Sequence, residues 1–132
     1  MINAYRILLA DDESSIREIW GEFLKDEGFD IDLAEDGLKA KEMIGLKSYD
    51  LLITDFRMPK MNGGELLEWC REHNFHFPVI FITGDLELLE KEKIALGDCC
   101  ANLLRKPASL QQMMSAINDA RTRTHDHMCL LA

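Results

Sequence analysis

A chain of 132 residues and 15.1 kDa has the size of one compact domain and leaves no room for a catalytic domain with a regulatory one attached. Apolar residues at 47% and charged ones at 30% are enough for a core and argue against wholesale disorder. With 15 Lys+Arg against 24 Asp+Glu, a formal charge of -9 and a pI of about 4.8, the surface repels phosphate backbones and anionic lipid, so neither direct nucleic-acid binding nor membrane binding is expected.

The run Tyr5-Arg6-Ile7-Leu8-Leu9-Ala10 is short and apolar and ends in Asp11-Asp12-Glu13. Such runs suit a strand buried on both faces of a parallel sheet. Ile16, Ile19, Trp20, Phe23 and Leu24 follow at i, i+3, i+4, i+7 and i+8, a single helical stripe that stops at Gly28. Residues 29–34 read as a second strand, and Asp36-Gly37 opens a helix carrying Ala40, Met43 and Ile44. A third strand, 51–54, runs into Asp55. Pro59 and Gly63-Gly64 mark a loop, followed by a helix with Leu66, Leu67 and Cys70. Pro78 starts a fourth strand, 79–82, which ends at Thr83-Gly84. A charged helix then extends to Gly97, and Leu103-Leu104 makes a brief fifth strand before Lys106-Pro107. The last helix begins at Ser109, whose hydroxyl caps it while Gln112 reaches back; its stripe is Leu110, Met113, Met114 and Ile117.

Five strand–helix units of roughly 20 to 25 residues each require a parallel sheet with right-handed crossovers. The expected fold is α/β: a doubly wound five-stranded parallel sheet of order 2-1-3-4-5, a flavodoxin-like (βα)5 arrangement with helices on both faces. One domain is expected over residues 1–122, with 123–132 a C-terminal tail, disordered or the start of a linker. No apolar run reaches the ~20 residues of a membrane span, and the four-residue apolar stretch behind Arg6 is too short for a signal peptide. Cys70, Cys99, Cys100 and Cys129 form no C-x-x-C pair and read as reduced thiols. A soluble, cytoplasmic protein is the expectation.

In an open α/β sheet, ligands bind at the carboxyl ends of the strands, where the strand order reverses. In the order 2-1-3-4-5 that point lies between strands one and three, whose ends carry Asp11-Asp12 and Asp55. Strands four and five add Thr83 and Lys106. Three clustered carboxylates repel one another unless a cation neutralises them, and hard oxygen ligands that leave room for water suit Mg²⁺ better than zinc. A phosphoryl group would complete such a site: one carboxylate attacks phosphorus, the metal and Lys106 neutralise the equatorial oxygens, and Thr83 donates a hydrogen bond. Singly, an acid pair after a strand is more often a solvated turn, and Thr-Gly or Lys-Pro more often a plain turn or loop. All of them at successive strand ends of one topology point to one cleft.

These residues carry a family resemblance. Leu8-Leu9-Ala10-Asp11-Asp12-Glu13, the block from Asp55-Phe56-Arg57-Met58-Pro59 to Lys60-Met61-Asn62-Gly63, Ile82-Thr83-Gly84 and Leu104-Arg105-Lys106-Pro107 together resemble a two-component response regulator receiver domain, the CheY-like fold, over nearly the whole chain. The resemblance implies that Asp55 is the phosphoacceptor, taking its phosphoryl group from a histidine kinase's phosphohistidine. It implies that Asp11 and Asp12 hold Mg²⁺, with Asp55 and the backbone carbonyl of Arg57 also ligating. Thr83 would turn toward the phosphoryl group and Lys106 would pair with it, and the Lys106–Pro107 bond would be cis. The implied partners are a sensor histidine kinase or histidine phosphotransfer protein and an unknown downstream protein target. The implied assembly is a monomer or a phosphorylation-dependent dimer. No enzyme is expected beyond self-phosphorylation and self-dephosphorylation, and no output domain within these residues.

Three positions depart from the pattern or bear on it. Leu103 stands where the family usually has Tyr or Phe, and a leucine cannot report a switch through a ring and hydroxyl. The stretch from Gly97 to Asn102 reads about two residues longer than usual, which would change a docking face. Arg57, two residues after Asp55, lies where the family tunes water access; a solvated loop arginine is the plainer reading. His125, His127 and Cys129 make a poor metal clip for want of a fourth ligand. His73 and His76 read as loop residues, and Trp20 and Trp69 as core or near-core.

The leading function is a phosphorylation-controlled signalling switch. One alternative is a receiver that acts unphosphorylated as a scaffold, favoured by Leu103 and opposed by the intact acid cluster. Another is a Mg²⁺-dependent aspartyl-phosphate phosphohydrolase, which wants an acid/base carboxylate where Arg57 stands. A flavodoxin-like FMN carrier would need a phosphate loop where Asp11-Asp12-Glu13 would repel the ligand.

Overall fold

A computed structural model describes residues 4–84 and 101–122. In chain order they form β1 (Arg6–Ala10), α1 (Ser14–Asp26), β2 (Asp30–Ala34), α2 (Gly37–Leu46), β3 (Leu51–Asp55), α3 (Gly63–Glu72), β4 (Val79–Thr83), β5 (Ala101–Arg105) and α4 (Leu110–Thr122). Every strand pairing is parallel, in the order β2-β1-β3-β4-β5, the doubly wound order expected. The charged helix expected up to Gly97, the Cys99-Cys100 pair, and residues 123–132 with His125, His127 and Cys129 lie outside the described residues.

The central strands β1, β3 and β4 are largely apolar and buried because both faces of the sheet are covered there, and period-2 alternation divides them between two cores; the edge strands β2 and β5 also carry Asp30, Asp32, Asn102 and Arg105. Leu8, Leu52 and Phe81 point to one face, where Ala40 and Ile44 of α2 and Leu66, Leu67 and Cys70 of α3 pack on them. Ile7, Leu9, Leu51, Ile53, Ile80 and Ile82 point to the other, against Trp20 and Leu24 of α1 and Met113, Ala116 and Ile117 of α4. Burial pushes the Cys70 thiol up to about 11, so it behaves there as a small apolar group.

Three of the described helices start at a residue whose side chain caps them. Asp36 Oδ1 accepts from the Lys39 N–H (2.7 Å) at the head of α2. Asn62 and Glu65 form a reciprocal capping box on α3. Ser109 Oγ accepts from the Gln112 N–H (3.0 Å) while Gln112 Oε1 accepts from the Ser109 N–H (2.8 Å), the arrangement expected for the last helix.

Two details differ from the sequence reading. Ile19 is 61% exposed and Leu110 49%, because each sits at the margin of its stripe. The fifth strand is longer than Leu103-Leu104 and takes in Ala101 and Asn102, so those two residues belong to the sheet and not to the connection before it. Trp20 is buried and Trp69 packs at the core's edge, stacked on His73 and Phe75.

The edge strand β2 carries Asp32, whose carboxylate accepts from Tyr49 Oη (2.7 Å) and pairs with Lys47 (3.0 Å). Burial alone would raise the Asp32 carboxyl; the Tyr49 hydroxyl and the Lys47 ammonium outweigh it and hold the group below the usual aspartate value. A carboxyl depressed in the fold stabilises fully above its unfolded pKa, and that stability is lost as pH falls through the folded one. Tyr49→Phe is therefore expected to cost about 1.5 kcal/mol near neutral pH, shrinking as pH drops below about 4. Urea unfolding at the two pH extremes checks this, and an equal cost at both would contradict it.

Candidate functional site

The carboxyl ends of β1, β3, β4 and β5 open on one side of the sheet. Asp11 directly follows β1: its N–H donates to the Ala34 carbonyl (3.1 Å), one rung beyond the strand, and its Oδ1 accepts from the Glu13 N–H (2.9 Å). Asp55 is the last residue of β3. The chain beyond it is held by the Phe56 N–H on the Ile82 carbonyl (3.2 Å) and by the Gly63 N–H on the Phe56 carbonyl (2.8 Å). A Cβ at Gly63 would lie 2.8 Å from the Asp55 carbonyl oxygen and 3.1 Å from Phe56 Cα, so a glycine there lets α3 begin against the end of β3. Phe56 and Met58 of this loop are buried, Phe56 against Phe81 with ring centroids 5.4 Å apart. Lys60 stands at φ 70 and pairs with the buried Asp36 carboxylate (3.5 Å), tying the loop to the head of α2.

Carboxylate oxygens of Asp11, Asp12 and Asp55 all lie within 4.8 Å of one another. Asp11 and Asp55 are buried and Asp12 is exposed. Lys106, one residue past β5, reaches into the cluster: its Nζ is 2.8 Å from Asp55 Oδ2, 3.5 Å from Asp11 Oδ2 and 3.4 Å from Glu13 Oε1. The Lys106 N–H also donates to the carbonyl of Thr83 (2.9 Å), which fixes the start of the lysine against the buried threonine at the end of β4. The Lys106–Pro107 bond is cis, as the resemblance implied. The Arg57 N–H donates to Asp55 Oδ1 at 3.3 Å, and the residue itself is exposed.

Electrostatics follow from this crowding. Burial pushes the Asp11 carboxyl up, and the nearby Asp55 charge adds to it; the Glu13 N–H and the Lys106 ammonium offset only part of the rise. For Lys106, burial by itself lowers the pKa. The hydrogen bond that Lys106 donates to Asp55 and the charges of Asp55, Asp11 and Glu13 outweigh it and hold the ammonium above its ordinary value. Among the described residues a single ammonium contacts the cluster of three carboxylates and Glu13, a negative surplus that a second cation would neutralise. Three hard oxygen donors, one of them exposed and open to water, form a set that can hold a metal ion, and their chemistry fits a small divalent cation.

The structure thus brings Asp11, Asp12, Asp55, Thr83 and Lys106 to one end of the sheet, with Arg57 at its margin. Two neighbours carry no assignment from the sequence. Glu13 was legible only as the third acid of a run, and its contact with Lys106 depends on the turn into α1. Arg17, in the first turns of α1, donates from Nη1 to the Asp11 carbonyl at 2.6 Å. Leu103 is paired with Phe81 across the β4–β5 ladder and packs, half-buried, against the core that Phe81 occupies. The apolar side chain at that position serves the core.

A five-stranded sheet of this order with an acidic cleft at its switch point is the architecture of CheY-like receivers. A response regulator receiver domain from Clostridium thermocellum superposes with a TM-score of 0.80 at 31% identity, covering 90% of this chain and 95% of that one. The chemotaxis protein CheY4 of Vibrio cholerae gives 0.80 at 25% identity, covering 89% and 99%. The model of the response regulator receiver domain matches residues 7–118, and the chain belongs to that family. Among curated relatives, the sensor protein EvgS of Escherichia coli K12 is 36% identical over 120 residues, which is 90% of this chain and 10% of EvgS. The transcriptional regulatory protein DltR of Streptococcus agalactiae is 34% identical over 119 residues, 89% of this chain and 52% of DltR. The chain therefore spans about a tenth of the one and about half of the other. Receiver domains are signalling units and not enzymes in the ordinary sense; their relatives act with sensor kinases and downstream effectors. Among the described residues no helix is long and apolar enough to cross a membrane.

Proposed function

We propose that the chain is a phosphorylation-controlled switch in which Asp55 accepts a phosphoryl group from the phosphohistidine of a sensor histidine kinase or a histidine phosphotransfer protein. The observation that carries this reading is the contact of Lys106 Nζ with Asp55 Oδ2 at 2.8 Å inside a cluster of three carboxylates. A structural ion pair needs one acid. Among the described residues, three acids around one ammonium leave an excess negative charge that a divalent cation would offset, and the same cation would neutralise an incoming phosphoryl group.

In this reading an Asp55 carboxylate oxygen attacks phosphorus, the P–N bond to the histidine breaks, and its electron pair returns to the departing imidazole. The products are an acyl phosphate on Asp55 and a free histidine. Asp11, Asp12, Asp55 and the Arg57 carbonyl would hold Mg²⁺, which when bound would supply charge neutralisation of the phosphoryl oxygens. Lys106 gives up its bond to the Asp55 carboxylate and pairs with a phosphoryl oxygen. Thr83, fixed beside it by the backbone bond between the two residues, offers a hydroxyl to another. The altered end of β4 and β5 then changes the surface offered to a downstream protein.

The functional unit in this proposal is residues 1–122, with 123–132 as a tail or linker; cytoplasmic location and a monomer or phosphorylation-dependent dimer belong to the same proposal. The packing of Leu103 beside Phe81 favours a second reading, an unphosphorylated scaffold, since no ring at that position can follow Thr83. Incubation with acetyl phosphate, followed by intact-mass measurement, separates the two. A Mg²⁺-dependent gain of one phosphoryl mass, absent in Asp55→Asn, is expected; no gain under any condition would leave the scaffold.

A further inference from the structure

Asp12 is the acid of the cluster that nothing visibly holds. Asp11 is fixed by its N–H on Ala34, its Oδ1 on the Glu13 N–H and its Oδ2 near Lys106. Asp55 is fixed by β3 and by Lys106. No hydrogen bond or ion pair from another described residue reaches the Asp12 carboxylate, yet its oxygen lies within 4.8 Å of the other two. Its position must therefore be set through the main chain, by the plane of the Asp11–Asp12 peptide.

That plane has a specific anchor. The Asp11 carbonyl, one residue beyond the β1 ladder, accepts from Arg17 Nη1 at 2.6 Å in a half-buried setting. Arg17 itself is set by the helix: its N–H donates to the Glu13 carbonyl (3.0 Å), so the guanidinium reaches back from the first turns of α1 to the strand end it follows. With the Asp11 N–H on Ala34 and the Asp11 carbonyl on Arg17, rotation of the next peptide is blocked from both sides. A charged donor on a carbonyl is among the stronger hydrogen bonds, and this one lies just outside the candidate ligands.

We infer that Arg17 is a positioning residue for the cation site: by holding the Asp11 carbonyl it aims the Asp12 carboxylate at Asp11 and Asp55. This rests on the Mg²⁺ reading of the cluster. Partners lying just outside a metal's ligands typically change affinity by about 10–100-fold when removed. Arg17→Met keeps the length of the stem and its packing but has no donor, and Arg17→Lys keeps one.

Calorimetric titration of the metal-free protein with Mg²⁺ alone tests this, beside thermal unfolding in a chelator. Arg17→Met is expected to raise the Kd for Mg²⁺ about tenfold with an unchanged melting temperature in chelator, and Arg17→Lys to recover part of the loss. In an Asp12→Asn background the same Arg17→Met change should add almost nothing, because the carboxylate it aims is gone. A wild-type Kd in Arg17→Met overturns the inference, as does a full tenfold loss repeated on top of Asp12→Asn. An Arg17→Met that merely melts earlier with its Kd unchanged makes Arg17 a stability residue and overturns it too. Should Arg17→Met not fold, Arg17→Lys carries the same cycle with Asp12→Asn, and additivity there is the contrary result. Failure of the underlying reading looks different: the wild-type protein itself would take up no Mg²⁺.

Discussion

Gly37→Ala is expected to destabilise the domain by about 3 kcal/mol, the upper end of what an overpacked site costs. A Cβ at Gly37 would collide with the Met61 carbonyl oxygen and lie 2.8 Å from its carbon and 3.0 Å from Met61 Cβ. Those first two atoms are backbone of the loop that follows Asp55, and backbone cannot swing aside as a side chain can. Helix propensity pulls the other way, since Ala is favoured over Gly inside a helix by about 1 kcal/mol, but a contact this short overrides it. Gly45 supplies the matched control on the same helix. It is exposed with nothing within 4 Å of its Cβ, so Gly45→Ala should stabilise by about 0.5–1 kcal/mol. Urea unfolding of both variants checks the pair. Equal effects of the same sign would mean that α2 and the loop after β3 are not pressed together as described. The clash also bears on function, because the displaced loop carries Arg57 and ends at Gly63, against the main chain of Asp55.

Lys106→Met carries the second large effect. Removing one member of a buried ion pair typically costs about 3–5 kcal/mol, because the remaining charge has no partner. Here the lysine side chain is 22% exposed, against 4% for Asp11 and 8% for Asp55, so the acids can recruit water or a proton and the expected cost is nearer 2 kcal/mol in chelator. The loss should be partly reversed by Mg²⁺, and reversed more in the variant than in the wild type, because the competing ammonium is gone and ligand binding adds stability as RT ln(1 + [L]/Kd). Melting temperatures with and without Mg²⁺ decide it. A variant as stable as wild type in chelator would show that Lys106 is not the counter-ion of the cluster.

Most of the fold was legible because it rests on local patterns. Runs such as Leu8-Leu9-Ala10 and Leu51-Leu52-Ile53 state burial on both faces, and Asp36, Asn62 and Ser109 announce the helices they cap. Strand order is not written in any single residue; it came with the doubly wound fold expected of five strand–helix units, and in that order β1 and β3 end side by side, which brings Asp11-Asp12 beside Asp55. What stayed hidden depends on contacts distant in sequence. Asn102 and Arg105 are polar residues of β5 that no periodicity marks, and their place in the sheet follows from pairing with Ile80 and Thr83. The need for glycine at position 37 comes from Met61, 24 positions later, pressing against it. Arg17 looks like any arginine on a helix face until its guanidinium is seen on the Asp11 carbonyl. The acids and the lysine could be named from strand ends alone; the groups that hold them in place could not.

The proposed switch requires that Asp55, and no other carboxylate of the cluster, take the phosphoryl group. Its most direct test is to phosphorylate the protein with acetyl phosphate and Mg²⁺, reduce the acyl phosphate with borohydride, and locate the modified residue by peptide mass spectrometry. Reduction cleaves the activated acyl group and converts the aspartate that carried it to homoserine. Homoserine is expected at position 55 alone, dependent on Mg²⁺. Homoserine at position 11 or 12, or none at all in a folded protein, would contradict it.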